Sequence, residues 1–226
     1  MFQRFHLWPP SARVSDALLR KENQVGFYLE LIRNVFQAID ARGKLRHRVV
    51  AFTSATAEEG VSDVVDLIAR ELAAQTQKRV LRVEASALQN LFLADPKHIA
   101  RHCEETEIEN LLMLSPQAPV TFAGVRSQRR ASDWESNPEY RTACLDALRW
   151  NFDYVLIDCA PPAASSEAIT LAPLVDGASV VVKAGQTRRG QIQRCQQTIE
   201  GAGGNFLGFI LNQRQYPVPD WLYRRL

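Results

Sequence analysis

Residues 48–63, RVVAFTSATAEEGVSD, place a hydrophobic strand, a loop of small residues and an amphipathic helix in that order. Gly60 and Ser62 stand at the end of the loop. This is the layout of a phosphate-binding loop of the form G-x-x-x-x-G-K-[ST], in which backbone N–H groups wrap phosphates, a lysine reaches the outer phosphates and a hydroxyl holds Mg²⁺. Val61 occupies the position of that lysine. The segment therefore predicts a strand, loop and helix whose loop has lost its main phosphate-binding side chain.

The same loop carries negative charge without a balancing cation. Glu58, Glu59 and Asp63 are present, and no lysine, arginine or histidine lies between Ser54 and Asp63. Two like unit charges about 6 Å apart cost roughly 3 kcal/mol at an effective dielectric near 20, so a nucleoside triphosphate would be repelled. Carboxylates and hydroxyls at a helix N terminus accept hydrogen bonds from its unpaired amides. We therefore expect Asp63, or Ser62 as an N-cap, to fill the anion hole from within.

The length and composition indicate one globular α/β domain. The chain has 226 residues, of which 46% are hydrophobic and 23% charged, and no apolar run is long enough to span a bilayer. Residues 1–22, with two adjacent prolines, indicate an N-terminal arm or linker, and residues 23–226 a single domain. The N terminus lacks the continuous apolar core of a secretory signal, which favours a cytoplasmic location.

Charge and cysteine usage exclude some classes of protein. A formal net charge of +2 gives little support for nucleic-acid binding through bulk electrostatics. The four cysteines are far apart and show no C-x-x-C pairing, so we expect reduced thiols rather than a zinc site or a disulfide framework. His98 and His102 lie four residues apart beside Cys103, and a metal site there is the less favoured alternative because no further ligands are evident.

Apolar periodicity predicts alternating helices and strands. Residues 24–39 show helical spacing, and the helix after the loop is expected to bury Val65, Ile68, Ala69 and Leu72. Predicted strands cover residues 48–53, 80–83, 108–114, 154–157, 178–182 and 206–211, and further helices cover 138–149 and 189–200, the last closed by glycines 201, 203 and 204. Residues 115–137 indicate a mobile surface loop. Continuous apolar strands alternating with helices predict a parallel sheet covered on both faces.

Five segments in this order resemble the bacterial tyrosine autokinases of capsule and exopolysaccharide synthesis, relatives of the septum-site and chromosome-partition ATPases. They are VVAFTSATAEEGVSD, KRVLRVEAS, FDYVLIDCAPP, VDGASVVVKAGQTRRG and LGFILNQ. The resemblance covers residues 25–226 and lies in the ordered set rather than in any single motif. It implies a P-loop NTPase-like, three-layer α/β/α fold of the MinD/ParA type, with a mainly parallel twisted sheet.

The resemblance implies a vestigial nucleotide site. The family loop has the form S-x-x-P-G-E-G-K-S-T, and this chain keeps Ser54, Glu59, Gly60 and Ser62 but has Ala57, Glu58, Val61 and Asp63 at the other informative places. Glu58 replaces a glycine whose freedom at positive φ helps the backbone approach phosphate. The nucleotide positions carried over are Ser54, Glu59, Gly60, Val61, Ser62, Asp63 and Asn212. Asn212 corresponds to a position near adenine, and a turn residue is the alternative.

The metal and catalytic positions are also incomplete. The family motif Asp-x-Asp after a strand corresponds here to Glu84 and Ser86, so one carboxylate is longer and the other is missing. Asp158, as a catalytic residue, and the Ser62 hydroxyl would hold Mg²⁺ and its water in the family, whereas an aspartate that caps local amides is the alternative. We therefore expect no cofactor, and ATP with Mg²⁺ only if the site still functions.

The resemblance also implies partners. Glu30 and Arg33 partly match a family helix, E-x-x-R-x-x-R, that lies between subunits of ring-shaped assemblies, although Phe36 occupies the third place. An ordinary i,i+3 pair on a solvated face is the alternative. Family members work with a membrane-embedded polysaccharide co-polymerase or chain-length regulator, so such a partner, and possible homo-oligomers, are expected. The aromatic arm at residues 2–8 or the terminal residues 221–223 would supply the docking surface, unless they pack on their own core.

Three functions follow from these observations. The first is a catalytically degenerate autokinase-like protein that regulates or scaffolds polysaccharide synthesis and export. The second is an active ATP-dependent tyrosine kinase that uses Lys183, Arg188 or Arg189 as a substitute cation. The third, a partition-type ATPase riding on DNA, predicts salt-sensitive DNA binding, and the even charge argues against it.

Overall fold

The computed structural model describes residues 48–88, 103–114, 134 and 137–213 of the chain. Its strands are β1 (Arg48–Ser54), β2 (Val80–Glu84), β3 (Glu104–Glu105), β4 (Leu111–Leu114), β5 (Tyr154–Asp158), β6 (Gly177–Lys183) and β7 (Phe206–Asn212). Its helices are α1 (Val61–Thr76), α2 (Ala85–Leu88), α3 (Pro138–Asn151), α4 (Glu167–Leu171) and α5 (Arg189–Gly201). Strands and helices therefore alternate along the chain, as the periodicity predicts.

The strands form one sheet in the order β3-β4-β2-β5-β1-β6-β7. All neighbouring pairs are parallel except β3 with β4, which is antiparallel at the edge. In register, Phe52 of β1 and Glu84 of β2 both pair with Asp158 of β5. The predicted, mainly parallel sheet is confirmed, and its pairing gathers the ends of three central strands at one edge.

Two hydrophobic clusters cover the two faces of the sheet. On one face, α1 packs with Val50, Phe52 and Leu156, and on the other face α3, α4 and α5 pack with strand residues such as Val49 and Ile157. The β1 residues from Val49 to Phe52 are at most 2% exposed, because a strand covered on both sides needs apolar side chains at every position. The result is the expected three-layer α/β/α arrangement.

Helix α1 buries the predicted face, since Val65, Ile68, Ala69 and Leu72 are all at most 2% exposed. Its N-cap is Gly60, which adopts the left-handed conformation with φ of 77°, and no side chain caps the helix. The expectation that Ser62 is the N-cap is therefore wrong. The helix begins two residues earlier than that expectation requires, because Gly60 is the N-cap and glycine accepts this backbone conformation without strain.

Helix α5 ends at glycines, as predicted. Gly203 has φ of 82°, its N–H donates to the Glu200 carbonyl at 2.9 Å, and the Gly204 N–H donates to the Ile199 carbonyl at 3.0 Å. This pair of bonds is the Schellman motif, which satisfies the carbonyls left unpaired at the end of a helix. The chain then enters β7 directly.

The middle of the chain differs from the prediction. The strand expected over residues 108–114 begins only at Leu111, because residues 107–110 form a turn in which Asn110 has φ of 67°. The region 115–137 is not a surface loop throughout. Trp134 is 3% exposed within the core, and the Asn137 side chain accepts a hydrogen bond from the Tyr140 N–H and caps α3.

Several predictions concern residues outside the described ranges. They are the arm 1–22, the helix 24–39 with Glu30 and Arg33, the pair His98 and His102, and the tail 214–226. Within the ranges that the structure describes, no helix combines the length and apolarity needed to cross a bilayer.

Candidate functional site

A cleft of about 600 Å³ opens at the carboxyl ends of β1, β2 and β5, beside the N terminus of α1. The predicted loop positions Ser54 and 59–63 line it together with Glu84, Ser86 and Asp158. Asn212 is the one predicted nucleotide residue that is not part of its wall. The pairing of the strands thus brings nearly all of the predicted site residues together.

The cleft is strongly acidic. Six carboxylate side chains line it, and the described lining contains no lysine, arginine or histidine. They are Glu58, Glu59, Asp63, Glu84, Asp158 and Glu167. A concave site lined by one sign of charge focuses its potential, so this lining disfavours phosphates.

Glu59 is the internal acceptor of the loop. The residue is 2% exposed, and its carboxylate accepts hydrogen bonds from the N–H groups of Ala55 at 2.8 Å and Thr56 at 3.1 Å. The Thr56 hydroxyl donates to it at 3.0 Å, and the Thr187 hydroxyl also donates to it. The loop is therefore held by its own glutamate, one turn before the positions at which Ser62 and Asp63 were expected to act. Both of those residues are exposed.

Glu58 occupies a position that demands a left-handed backbone. Its φ is 63°, which agrees with the expectation that the corresponding family glycine works at positive φ. A side chain in this region costs about 1 kcal/mol, because Cβ approaches the carbonyl oxygen of the same residue. The loop therefore carries a non-glycine residue that strains its backbone.

Asn212 ties the last strand to the loop. Its side-chain amide donates to the Glu59 carbonyl at 2.9 Å, and a Cβ added to Gly60 would lie 2.5 Å from the same nitrogen. A side chain at Gly60 would be strained by its φ and would have to displace the Asn212 amide. The structure assigns Asn212 a contact with the loop backbone, a role that its position at a strand end did not reveal.

Arg82 is a residue beside the cleft that the motifs missed. It lies in β2, is 9% exposed, and places its guanidinium 3.4 Å from Asp158 Oδ2 and 3.6 Å from Glu84 Oε1. Alternation along a strand puts residues 82 and 84 on one face, and the register adds Asp158 to that face. A charged residue inside an apolar strand is the signal that would have found it.

A divalent ion does not fit the residues present. Ser62, Glu84 and Asp158 are the positions that the resemblance assigns to metal binding, but Arg82 already contacts both carboxylates. Across the described ranges, no three side chains of the histidine, cysteine, aspartate or glutamate type are grouped so that they could hold a metal ion. Mg²⁺ is usually held by one or two carboxylates, with waters and phosphates completing its shell, and here Arg82 already engages both carboxylates.

The predicted substitute cations lie on the other side of the loop. Lys183 lines a separate pocket of about 220 Å³ with Thr56, Thr187 and Gln191. Arg188 is the exposed N-cap residue of α5. Lys183, Arg188 and Arg189 are all absent from the wall of the larger cleft. The loop itself therefore stands between these cations and the site.

Two buried thiols flank the site. Cys159 lines the cleft, and burial, with Glu167 and Asp158 nearby, raises its pKa well above the usual range. The Cys195 thiol donates to the Ser54 carbonyl at 3.6 Å, and burial, with Glu59 nearby, raises its pKa to about 11. Burial therefore disfavours the thiolate, which is the nucleophilic form, at both cysteines. All four cysteines of the chain are free thiols.

The chain is similar to known proteins in both sequence and structure. The chain is 25% identical to the tyrosine-protein kinase CpsD of Streptococcus agalactiae over 216 residues, which covers 88% of each chain. It superposes on the VpsO kinase domain with a TM-score of 0.64 at 20% identity, covering 88% of this chain and 98% of that one. It superposes on the septum site-determining protein MinD of Pyrococcus horikoshii, complexed with Mg-ADP, with a TM-score of 0.53 at 18% identity, covering 79% and 76%. No family model matches the chain.

The sheet order, the loop before α1 and these superpositions define a P-loop NTPase-like α/β/α domain of the MinD/ParA type. Within this class, homologues of the chain in sequence are the tyrosine-protein kinases named CpsD, and structural neighbours include bacterial tyrosine kinase domains. The resemblance drawn from the five sequence segments is thereby confirmed.

Proposed function

We propose that this chain is a catalytically degenerate tyrosine-autokinase-like protein that regulates or scaffolds the synthesis and export of a surface polysaccharide. The observation that carries the proposal is the lining of the cleft, where Val61 replaces the lysine and the described residues include six carboxylates but no lysine, arginine or histidine. Phosphoryl transfer depends almost entirely on positioning and on cations that stabilise charge on the transferred group. Removing one such donor commonly lowers the rate about a hundredfold to a thousandfold.

The loop supports a role that does not need nucleotide. Glu59 and Asn212 hold the loop backbone through side-chain hydrogen bonds, so the surface beside the cleft is shaped by the protein itself. A protein with this property presents the same face to a partner whether or not nucleotide is bound. Such behaviour suits a scaffold better than a nucleotide-driven switch.

Similarity to tyrosine-protein kinases suggests the partner. A membrane-embedded polysaccharide co-polymerase or chain-length regulator is the proposed binding partner, and it would recruit the chain to the membrane. Homo-oligomers through Glu30 and Arg33 remain a prediction. Co-purification of the chain with such a co-polymerase expressed from the same operon tests this part.

Two measurements on the purified chain test the loss of catalysis. Incubation with γ-labelled ATP and Mg²⁺ is expected to leave its tyrosines unlabelled, and calorimetric titration with Mg·ATP is expected to show no micromolar binding. A double variant, Val61→Lys with Glu58→Gly, restores the lysine and the flexible position and is expected to bind Mg·ATP more tightly than the natural chain. Micromolar binding by the natural chain that Asp158→Ala abolishes would overturn the proposal.

An active kinase that uses Lys183 is the second candidate, because Lys183 lies in the pocket that adjoins Thr56 and Glu59. It predicts labelled tyrosine in the natural chain and loss of the label in Lys183→Ala. Arg194→Ala serves as the control. This substitution also removes one positive charge, but from the exposed side of α5.

A further inference from the structure

Arg82 is the least expected residue in the core of this domain. Its strand neighbours Val80, Leu81 and Val83 are fully buried, and its own side chain is 11% exposed. Burying an ionised group is costly unless it is paired, so an arginine here requires partners that the fold supplies.

The partners are the two carboxylates that would otherwise hold a metal ion. One terminal nitrogen of Arg82 lies 3.4 Å from Asp158, and the other lies 3.6 Å from Glu84. Glu84 and Asp158 pair directly across β2 and β5, so their separation is fixed by the sheet. A single guanidinium thus bridges two acidic side chains at the floor of the cleft.

We propose that Arg82 is the resident cation of this site. Its guanidinium takes the place that a divalent ion would need between Glu84 and Asp158, excludes such ions, and makes the binding of any ligand in the cleft independent of metal. The inference extends the proposed loss of catalysis. It rests on that proposed function only in taking the cleft to be the former nucleotide site. The specificity of the cleft is set by a side chain rather than by an exchangeable ion.

Exclusion follows from charge and from ligand number. A divalent ion would either displace the guanidinium, leaving a buried cation unpaired, or stand beside it at repulsive distance. Mg²⁺ and Mn²⁺ also prefer carboxylate and carbonyl oxygens, and the carboxylates of Glu84 and Asp158 are already paired with Arg82. Replacing Arg82 with an apolar residue removes both obstacles and leaves two adjacent carboxylates without a cation.

Mn²⁺ titration followed by electron paramagnetic resonance tests this inference. The natural chain is expected to bind Mn²⁺ at this site no more tightly than about millimolar, whereas Arg82→Leu is expected to bind it at least about tenfold more tightly, because a paired carboxylate site is released. Arg70→Leu is the matched control. It removes the same charge from an exposed pair with Asp66 on α1 and is expected to behave as the natural chain does.

Thermal unfolding supplies a second readout. Without metal, Arg82→Leu is expected to melt at a lower temperature than the natural chain, and Mn²⁺ is expected to restore the loss. Adding Asp158→Asn to Arg82→Leu is expected to abolish the gain in Mn²⁺ binding. If Arg82→Leu does not fold, Arg82→Gln provides the same test with a neutral polar side chain. Equal Mn²⁺ binding by the natural chain and the Arg82 variant, or no gain in that variant, overturns the inference.

Nucleotide assays with and without chelator separate this inference from the proposed function. Tyrosine phosphorylation that persists in chelator overturns the loss of catalysis and supports Arg82 as the resident cation. Phosphorylation that requires Mg²⁺ overturns both. Absence of phosphorylation together with Mn²⁺ bound at Asp158 of the natural chain overturns the role of Arg82 alone.

Discussion

Arg82 and Arg149 are two largely buried arginines that each bridge two carboxylates, at opposite ends of the same sheet. Arg149 lies at the end of α3, where its terminal nitrogens lie 3.2 Å from Asp146 and 3.1 Å from Asp176. It also donates to the Leu174 carbonyl at 2.8 Å. Arg82 makes longer contacts, at 3.4 and 3.6 Å. In both residues Nε is buried without an acceptor, so the difference lies in the terminal nitrogens.

The elements that each arginine connects show which of the two stabilises the fold. Asp176 also accepts the Val49 N–H at 2.7 Å, so the Arg149 cluster joins α3, the start of β6 and the start of β1. Arg82 joins only β2 and β5, which are already paired along their length. The arginine at the amino end therefore holds elements together, whereas the one at the carboxyl end balances charge beneath the cleft.

The largest expected effect is at the amino end. Asp176→Ala removes the acceptor of the Val49 N–H and leaves Arg149 without its buried carboxylate partner. We therefore expect the free energy of unfolding to fall by about 3 kcal/mol. Urea denaturation with an unchanged m-value measures this. Asp146→Ala is the control, because Asp146 is 57% exposed and its pair contributes at most about 0.5 kcal/mol. Equal losses for the two variants would contradict a structural role for Asp176.

Glu59 is the carboxyl-end counterpart of Asp176, since it too accepts backbone amides. Glu59→Gln places an NH₂ group against the N–H and hydroxyl donors that the carboxylate accepts. The free energy of unfolding is expected to fall by about 2 kcal/mol. Proteolysis at the loop under native conditions, compared between this variant and Glu58→Gln, gives an independent measurement. Glu58 is exposed, so its amide variant is expected to be cleaved at the natural rate. Faster cleavage of both variants would show that loop charge, rather than the internal hydrogen bonds, holds the loop.

Local pattern was enough to predict most of the fold. The face of α1, the glycine-closed end of α5 and the parallel sheet follow from residue spacing and end signals that act within one element. The gathering of loop residues with Glu84 and Asp158 also follows, because the carboxyl ends of parallel strands meet at one edge.

Arg82 and Trp134 could not be predicted in the same way. The partners of Arg82 depend on which strand lies next to β2, and the sheet order places β5 there although many residues separate the two. Trp134 sits in a stretch rich in serine, arginine and proline, where composition indicates a surface loop, yet the core accepts its ring. The N-cap lies two residues before Ser62, because a glycine, rather than a side-chain cap, precedes α1.

A double variant sharpens the comparison of the two arginines. Arg82→Leu with Asp158→Asn removes the charges of Arg82 and Asp158 together, and its unfolding free energy is expected to stay within about 1 kcal/mol of the natural chain, because neither buried charge is left unpaired and Glu84, with a side chain 39% exposed, stays solvated. Arg149→Leu with Asp176→Asn is the matched variant at the other end. It is expected to lose more, because the Leu174 carbonyl loses its donor. Calorimetric unfolding of the two double variants and the natural chain measures both losses, and a larger loss at Arg82 would reverse the assignment of roles.

The smallest expected effect compares the two left-handed residues that flank α1. Glu58 and Gln77 have φ of 63° and 52°, and both are exposed. Replacing either residue with glycine relieves backbone strain in the folded state but raises the conformational entropy of the unfolded state. The free energy of unfolding of each variant is therefore expected to rise by only about 0.5 kcal/mol. Glu58→Gly also removes one of the charges that line the cleft, whereas Gln77→Gly changes no charge.

The difference between these variants therefore isolates the repulsion within the cleft. Glu58→Gly is expected to exceed Gln77→Gly by a few tenths of a kcal/mol at low salt, and the excess is expected to vanish near 1 M salt, where the screening length is about 3 Å. Denaturation of both variants at two salt concentrations measures it. An excess that persists in high salt would assign the gain to the backbone at Glu58 alone, and the acidic cleft would then carry less repulsion than its six carboxylates imply.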